Sequence, residues 1–234
     1  DYRDVLRQHL ESKADITVGT IPVDRKAATG FGIMHTDDQR RIIEFVEKPK
    51  DPKVLDDLRI PPELLQAIGK PLDADLYQAS MGIYVFETQA LARALEEDAA
   101  RPSAHDFGKD ILPGLLAAGS PMYVHRFHDE NKKSAKYWRD IGTLDAYFEA
   151  NLDLCAVNPE FNLYDPEWPL RTYQPQFPPA KFVFDQEGRR GLALQSIVSM
   201  GCIVSGGEVR RSILCPDVRI HSYCDVEDSI LLPG

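Results

Sequence analysis

A glutamate and a lysine stand side by side where a strand-like run of residues ends. The run covers 41–46, and Glu47, Lys48 and Pro49 follow it. Open α/β sheets bind their ligands at the ends of strands. There a lysine ammonium is a compact charge suited to a phosphate, and a neighbouring carboxylate accepts hydrogen bonds from hydroxyl groups. An adjacent Glu-Lys pair is also common on solvated surfaces, so this interpretation depends on the rest of the chain.

Strands and helices alternate along the first two thirds of the chain. Short β-branched or apolar runs predict the strands, and apolar residues at helical spacing predict the helices. Residues 48–74 are polar and proline-rich, which indicates a long loop with one short helix near 62–68. This alternation favours an α/β unit with a mixed sheet. The predicted strands cover 14–23, 31–35, 41–46, 80–86 and 122–127, and the predicted helices cover 2–13, 88–99, 106–118 and 143–157.

A different period begins near residue 196. Apolar residues recur every six positions, which is typical of a β-helix whose hexads form the flat sides of a triangular coil. An antiparallel meander is the alternative. About two coils fit before Gly234, and a proline-rich segment, 158–182, precedes them, which we expect Tyr164, Trp168 and Tyr173 to hold by packing. The apolar positions are Ile197, Ile203 and Val209 and, after a slip of one residue, Leu214, Ile220, Val226 and Leu232.

The composition limits the classes of function. The 234 residues include 27 Lys+Arg and 37 Asp+Glu, a formal charge of −10. This balance argues against general binding to nucleic acid or to anionic membranes. No apolar run approaches the ~20 residues of a membrane span. The four cysteines lack C-x-x-C spacing, so we expect reduced, buried thiols in a cytoplasmic protein.

Five motifs follow one another along the chain. They are Thr29–Met34 (TGFGIM), Phe45–Pro49 (FVEKP), Ala79–Phe86 (ASMGIYVF), His105–Asp110 (HDFGKD) and Tyr137–Thr143 (YWRDIGT). With the proline-rich segment and the hexad repeat, they closely resemble bacterial ADP-glucose pyrophosphorylases, the glucose-1-phosphate adenylyltransferase family. The resemblance extends over essentially the whole chain.

The resemblance implies a fold and an activity. The fold is part of a Rossmann-like mixed-sheet nucleotidyltransferase domain over 1–157, a linker over 158–182 and the beginning of a left-handed parallel β-helix over 183–234. The activity converts ATP and glucose 1-phosphate to ADP-glucose and pyrophosphate for glycogen or starch synthesis. Such catalysis is mostly positioning and charge neutralisation, to which Mg²⁺ contributes. The alternative is a non-catalytic regulatory subunit of a sugar-nucleotide pyrophosphorylase.

The resemblance also assigns roles to five residues. Lys48 is expected to hold the phosphate of glucose 1-phosphate, and Glu47 and Ser80 to bind the glucose hydroxyls. Gly32 would allow close approach of the backbone to the ligand. Asp140 would ligate Mg²⁺, because a hard cation prefers carboxylate oxygen. Lys48 and Asp140 are the residues expected to take part in catalysis.

Several of these residues have a purely structural interpretation as well. Gly32 is equally compatible with a hairpin or a bulge, and Ser80 with satisfying a strand end. Asp140 could cap the helix that begins near Thr143. Its neighbour Arg139 is expected to make a structural ion pair.

The resemblance further implies anionic allosteric effectors and a homotetramer. Three basic pairs are candidate effector sites, with solvated surface charge as the alternative. The family's glycine-rich nucleotide loop and second metal-binding Asp have no match here, and only about two coils of the β-helix fit before Gly234, so we expect both ends to be cut from a longer chain. Most ATP contacts would then lie outside it, and the isolated chain would be inactive. The basic pairs are Arg25-Lys26, Arg189-Arg190 and Arg210-Arg211.

Overall fold

The computed structural model describes residues 2–129, 134–135, 137–166, 169 and 171–234. The chain forms two compact units, the first over residues 1–136 and the second over residues 137–234. The domain boundaries predicted at residues 157 and 182 stay predictions.

The first unit is built on a five-stranded sheet. Its strands are β1 (Ile16–Asp24), β2 (Gly32–Thr36), β3 (Ile42–Glu47), β4 (Leu76–Phe86) and β5 (Met122–Arg126). They lie in the order β3-β2-β4-β1-β5. The pair β1 and β5 is parallel, and the other neighbours are antiparallel. The predicted mixed sheet is therefore confirmed.

Helices connect these strands. Most were predicted, but a short helix at Arg25–Ala28 was not. The segment 48–74 contains two helices where one was expected. The missed helix begins after Asp51, whose side chain accepts a hydrogen bond from the Lys53 N–H, and Pro52 occupies its first turn, which is a common helix start. The helices are α1 (Tyr2–Ser12), α2 (Arg25–Ala28), α3 (Pro52–Asp57), α4 (Pro62–Ala67), α5 (Thr88–Ala99) and α6 (Leu112–Ala117); a π-helical turn (Phe107–Ile111) precedes α6, and a short strand pair, β6 (His128–Asp129) and β7 (Ser134–Ala135), follows β5.

The sheet buries both of its faces. Consecutive residues of β2 show this, because Ile33 belongs to a core cluster with Leu55 of α3, whereas Met34 belongs to another cluster with Leu112 of α6. Successive side chains of a strand point to opposite faces. Burial on both faces explains why these strands read as almost continuous apolar runs.

The second unit begins with an irregular segment and one helix, α7 (Leu144–Asp153), and continues as a parallel β-helix. Nine strands form three sheets of three strands each. The β-helix predicted from the hexads is confirmed, but it has three rungs rather than two, because its first strand precedes the apolar repeat. The strands are β8 (Lys181–Val183), β11 (Leu192–Leu194), β12 (Ile197–Val198), β13 (Ile203–Ser205), β14 (Glu208–Arg210), β15 (Ile213–Leu214), β16 (Arg219–Ile220), β17 (Asp225–Glu227) and β18 (Ile230–Leu231), with a hairpin of β9 (Asp185–Gln186) and β10 (Arg189–Arg190) after β8.

The interior of the β-helix differs in part from the hexad prediction. The steps between inward residues are a mixture of five and six residues, so three predicted core positions are displaced by one residue. Val198, Val204 and Leu231 pack in the core, and Leu232 is 66% exposed. The correctly predicted core positions are Val209, Leu214, Ile220 and Val226.

Three serines join successive rungs at one corner of the coil. Ser212 donates its N–H to Ser196 Oγ at 3.1 Å, and Ser229 donates its N–H to Ser212 Oγ at 3.1 Å. Each hydroxyl in turn donates to the carbonyl two residues earlier. The residue before each serine has a positive φ, which makes the sharp corner; these residues are Gln195, Arg211 and Asp228.

The linker and the cysteines differ from expectation. Tyr164 and Tyr173 are more than 80% exposed, so they do not hold the segment by packing, and Trp168 lies outside the described residues. The ring of Phe161 instead stacks on Tyr137 at 5.2 Å. All four cysteines are free thiols, but the expectation that they are buried holds only for Cys202. Cys155 and Cys215 are partly exposed, and Cys224 is exposed.

Candidate active site

Glu47, Gly32 and Ser80 lie in one row across three neighbouring strands. Gly32 of β2 pairs with Glu47 of β3. Ile33 of β2 pairs with Ala79 of β4, so continuing this register by one residue places Ser80 beside Gly32. Cross-strand neighbours project from the same face of a sheet. The pairing of β2 with both β3 and β4 therefore brings three of the predicted site residues together.

Two glycines make room for the Glu47 carboxylate. A Cβ on Gly32 would lie 2.8 Å from Glu47 Oε2, and a Cβ on Gly108 would lie 2.5 Å from the same oxygen. A Cβ on Gly32 would also lie 2.5 Å from Phe45 Cζ. Any side chain at either glycine would thus displace the carboxylate or the ring. The Glu47 side chain is 20% exposed, so one side of this carboxylate remains open to a ligand.

Strand β4 bulges next to Ser80. Val18 of β1 pairs with Tyr84, but Thr20 pairs with Ser80, so β4 has two extra residues at this point. Gly82, inside the bulge, has a φ of +69° and donates its N–H to Ser80 Oγ at 3.2 Å. Because of the bulge, the Tyr84 side chain lies beside the row, with its Oη 3.3 Å from Ser80 Oγ. Ser80 therefore satisfies a backbone donor and also belongs to the row.

An aromatic wall stands beside the row. The rings of Tyr84 and Phe107 stack with centroids 5.9 Å apart and an interplanar angle of 17°. Phe86 packs against Phe107 at 5.9 Å. Burial raises the pKa of Tyr84, against the opposing effect of the hydrogen bond with Ser80, and the negative charges of Glu47 and Asp106 also raise it. The phenol therefore stays neutral and can donate or accept a hydrogen bond.

Asp106 fixes the turn that carries Gly108. Its carboxylate accepts the N–H groups of Gly108 and Lys109, each at 2.9 Å. The Asp106 N–H in turn donates to Asp110 Oδ2 at 3.1 Å. These bonds satisfy donors of the first turn, as a helix cap does. Gly108 is consequently held against Glu47.

Lys48 lies where β3 leaves the sheet. Its N–H donates to the Phe31 carbonyl at 3.0 Å, and its φ of +47° turns the chain away from the strand. Its Nζ lies 3.5 Å from Glu47 Oε1, and its side chain is 56% exposed. The row thus ends in an ion pair whose cation faces solvent.

Asp140 belongs to the second unit, where its side chain is exposed. Thr143, rather than Asp140, caps α7, because Thr143 Oγ1 accepts the Ala146 N–H at 3.1 Å. The alternative of a capping role for Asp140 is therefore wrong. The predicted structural ion pair of Arg139 is confirmed, with Glu160 at 3.2 Å.

Asp140 would contribute one carboxylate ligand to a metal ion. Within the residues described, no group of three His, Cys, Asp or Glu side chains could hold a metal ion. Mg²⁺ is often bound by one or two carboxylates while phosphates and waters supply the other ligands. An exposed Asp140 is compatible with that mode.

The basic pairs are largely engaged with carboxylates. This favours the interpretation of paired surface charge over effector sites. A groove of about 500 Å³ beside Arg189 and Arg190 is also lined by Glu187, Glu208 and Asp225, so its charge is mixed. The ion pairs join Arg25 to Asp56 and Asp75, Arg190 to Asp185, Arg210 to Glu208, and Arg211 to Glu227 and Asp228.

Four residues of the site had no assigned role at the sequence level: Tyr84, Asp106, Phe107 and Gly108. Asp106 followed by Gly108 at the start of a predicted helix was a signal for a cap. No local pattern indicated that Gly108 meets Glu47.

None of the helices in the described part of the chain has the length and apolarity needed to cross a bilayer.

The chain is a two-part protein. Its first unit is a mixed-sheet α/β unit with a polar row at a strand end, and its second unit contains a parallel β-helix. Residues 1–157 match the family described as Nucleotidyl transferase. Residues 178–234 match the family described as GlmU-like, C-terminal hexapeptide. The chain belongs to the nucleotidyl transferase family, and the predicted combination of a nucleotidyltransferase fold with a left-handed hexapeptide β-helix is confirmed.

Curated relatives share about half of their aligned residues with this chain. The glucose-1-phosphate adenylyltransferase of Koribacter versatilis (strain Ellin345) is 50% identical over 232 residues, which cover 99% of this chain and 52% of the relative. Those of Rhodopseudomonas palustris (strain TIE-1) and Granulibacter bethesdensis are 49% and 48% identical over 238 residues, covering 100% of this chain and 53% of each relative. The chain spans about half the length of the curated relatives it matches.

Proposed function

We propose that the protein to which this chain belongs is a glucose-1-phosphate adenylyltransferase, which converts ATP and glucose 1-phosphate to ADP-glucose and pyrophosphate. The observation that carries the proposal is the row of Glu47, Gly32 and Ser80 with Lys48 at its end. It occurs in a chain that is 50% identical to an enzyme of that name. The alternative of a non-catalytic subunit is not favoured, because the similar proteins are named as the enzyme.

The end of β3 offers two kinds of contact to a sugar phosphate. The Lys48 ammonium, 3.5 Å from Glu47, supplies a positive charge for the phosphate. The carboxylate of Glu47 accepts hydrogen bonds from sugar hydroxyls, and such charge-assisted bonds are short and strong. The ammonium and the carboxylate are therefore close enough to contact one ligand that carries both hydroxyls and a phosphate.

Ser80, Tyr84 and Phe107 complete the sugar site in this proposal. The hydroxyls of Ser80 and Tyr84, 3.3 Å apart, offer a polar edge. The ring of Phe107 is 37% exposed and offers an apolar surface to the ring face of a sugar. Such groups orient the sugar phosphate for attack on the α-phosphorus of ATP, and orientation is a large part of the catalysis of phosphoryl and nucleotidyl transfer.

Nucleotidyl transferases of this kind generally use a divalent metal ion. We propose Mg²⁺, with Asp140 as a protein ligand. When bound, Mg²⁺ neutralises phosphate charge. Lys48 adds a second positive charge for the phosphate of the sugar substrate.

The remaining parts of the proposal rest on the family relationship. They are a role in glycogen or starch synthesis, a cytoplasmic location, a homotetramer and control by anionic effectors.

Pyrophosphorolysis by the intact protein tests the proposed function. ADP-glucose, UDP-glucose and dTDP-glucose are offered in parallel with pyrophosphate and Mg²⁺, and nucleoside triphosphate is measured. We expect ATP from ADP-glucose in preference to the other products. Lys48→Ala should raise the KM for glucose 1-phosphate in the synthesis direction by about ten- to hundredfold, as a lost bond between charged groups implies.

Lys50→Ala is the matched control, because Lys50 is an exposed lysine two residues further along the same segment. We expect it to leave the KM for glucose 1-phosphate within about twofold of the wild-type value, as for a surface charge. Absence of turnover with every sugar nucleotide would contradict the proposed function.

A further inference from the structure

We infer that Asp98 and His105 act as a pair of positioning residues, which hold the loop 106–108 against Glu47 and thereby set the affinity for the sugar phosphate. The inference rests on the proposed function, since the ligand is the one proposed above. Asp98 lies in the last turn of α5, and His105 immediately precedes Asp106. Both act on the site through the loop.

The carboxylate of Asp98 is buried, with 4% of its side chain exposed, and His105 is its main partner. Asp98 Oδ2 lies 2.7 Å from His105 Nδ1. Its other oxygen has no hydrogen-bond partner among the described residues, and the nearest cation, Arg101 Nε, is 3.5 Å away. The bond from His105 lowers the pKa of Asp98. A buried carboxylate with one strong bond depends on that bond, so Asp98 fixes the imidazole.

Burial does not hold His105 in place. Its side chain is 61% exposed, and its φ of +55° is unusual for a residue with a Cβ. Ser103 supports the conformation, because its Oγ accepts the His105 N–H at 3.1 Å and lies 3.0 Å from Nδ1. Such a backbone conformation persists only where its surroundings determine it. The hydrogen bonds to Asp98 and Ser103 are those surroundings.

The loop transmits the position of His105 to the site. Asp106, the next residue, binds the N–H groups of Gly108 and Lys109. Gly108 leaves no space between its backbone and Glu47 Oε2, and Phe107 stacks on Tyr84. A small displacement at residue 105 therefore changes the positions of both Glu47 and the aromatic wall, because packed groups of this kind do not deform independently.

Three variants of the intact protein test the inference. His105→Ala removes the side-chain bond to Asp98 but keeps a Cβ. His105→Asn keeps an N–H donor near the position of Nδ1, and asparagine tolerates a positive φ. Asp98→Asn replaces the charged acceptor with a neutral one. Arg93→Ala, at an exposed position of the same helix, is the control.

Two measurements are made on each variant. The first is the KM for glucose 1-phosphate compared with the KM for ATP. The second is hydrogen–deuterium exchange of the backbone N–H groups of Gly108 and Lys109, which does not require activity. We expect His105→Ala to raise the KM for glucose 1-phosphate by about tenfold, as for a lost bond to a charged group, with the KM for ATP nearly unchanged.

The same variant should exchange both N–H groups faster. His105→Asn should restore both measurements toward wild type, and Asp98→Asn should fall between the two histidine variants. Arg93→Ala should match wild type in both.

The outcomes separate this inference from the proposed function. If wild type turns over no sugar nucleotide, the proposed function fails, and the part of the inference that names the sugar phosphate fails with it. Exchange at Gly108 and Lys109 still decides whether the pair holds the loop. If wild type is active but His105→Ala changes neither the KM for glucose 1-phosphate nor the exchange, the inference is overturned. A lower melting temperature with an unchanged KM also overturns it, because that result shows a merely structural role.

Discussion

The carboxylate of Glu47 lies directly against Gly108, so that a Cβ on this glycine would be 2.5 Å from Glu47 Oε2. Glu47 ends β3, and Gly108 lies in the π-helical turn before α6. The φ of Gly108 is not positive, so the position requires glycine for space rather than for backbone conformation. The contact joins two segments that are far apart in the sequence.

Replacing Gly108 by alanine should therefore impair the proposed sugar-phosphate site while leaving the fold intact. The new methyl group would push the Glu47 carboxylate away from the row. We expect the KM for glucose 1-phosphate to rise about tenfold or more, the scale of one lost charge-assisted bond. Steady-state kinetics in the synthesis direction measure it. Gly114→Ala is the control, because its Cβ would meet only the flexible end of Arg101, at 3.4 Å; equal effects of the two substitutions would contradict the prediction.

The hydroxyls of Ser80 and Tyr84 should contribute jointly to binding. Their oxygens are 3.3 Å apart, so each orients the other. We expect Ser80→Ala and Tyr84→Phe each to raise the KM for ADP-glucose. The double variant should lose less binding free energy than the sum of the losses in the two single variants. A double-mutant cycle should give a coupling of about 0.5–1.5 kcal/mol. Strict additivity would show that the two hydroxyls act independently.

His9 should make the stability of the first unit depend on pH. Burial lowers the pKa of His9, against the smaller opposing effects of Glu87 and Asp15. Its Nδ1 lies 2.9 Å from Thr17 Oγ1. The unfolded chain binds this proton more readily than the folded chain does, so stability falls as the pH falls below the ordinary histidine value of about 6.5.

Thermal melts of the intact protein at pH 7.5 and pH 5.5 test this dependence. We expect the melting temperature of wild type to fall more over that interval than that of His9→Gln, which keeps a polar side chain without a titrating ring. The same loss in both proteins would show that other groups dominate this pH range.

Ser212 should stabilise the β-helix more than its small side chain suggests. It is fully buried, and its Oγ accepts the Ser229 N–H and donates to the Arg210 carbonyl. Ser212→Ala leaves a backbone donor without its partner, which should lower the free energy of unfolding by about 1–3 kcal/mol. Urea denaturation measures it.

Ser199→Ala is the matched control for that substitution. Ser199 is half-buried in the same coil, and within the described residues its hydroxyl makes no hydrogen bond to another rung. A cost at Ser199 as large as that at Ser212 would argue against the corner bonds as the cause.

Local patterns were sufficient to predict much of the fold and part of the site. Apolar runs that alternate with predicted helices indicated the sheet. The short connection between β2 and β3 favours their antiparallel pairing, in which Gly32 lies beside Glu47. The start of α3 was overlooked although Asp51 and Pro52 signal it. Thr143, rather than Asp140, caps α7, and both residue types are good caps, so the choice depends on where the helix begins.

Other features depend on contacts that sequence periodicity does not encode. Gly108 meets Glu47 only because α5 and the following loop return over the end of the sheet. The inward positions of the β-helix change from Ile203 to Val204 because the coil mixes steps of five and six residues, whereas a strict hexad was assumed. The first rung begins at Lys181, in a segment without apolar repeat.

The two rungs joined by Ser196, Ser212 and Ser229 differ in length, with separations of 16 and 17 residues. The strand pairings place the additional residue between Ile220 and Asp225, at the corner that contains Tyr223. The flat sides of the two rungs therefore have the same number of residues, and the additional residue lies in the corner. An insertion beside Tyr223 would leave the inward side chains in place, but one inside β14 would reverse the facing of the residues that follow. The corners are therefore where the chain can gain or lose residues, in natural divergence or in protein engineering, without repacking the interior.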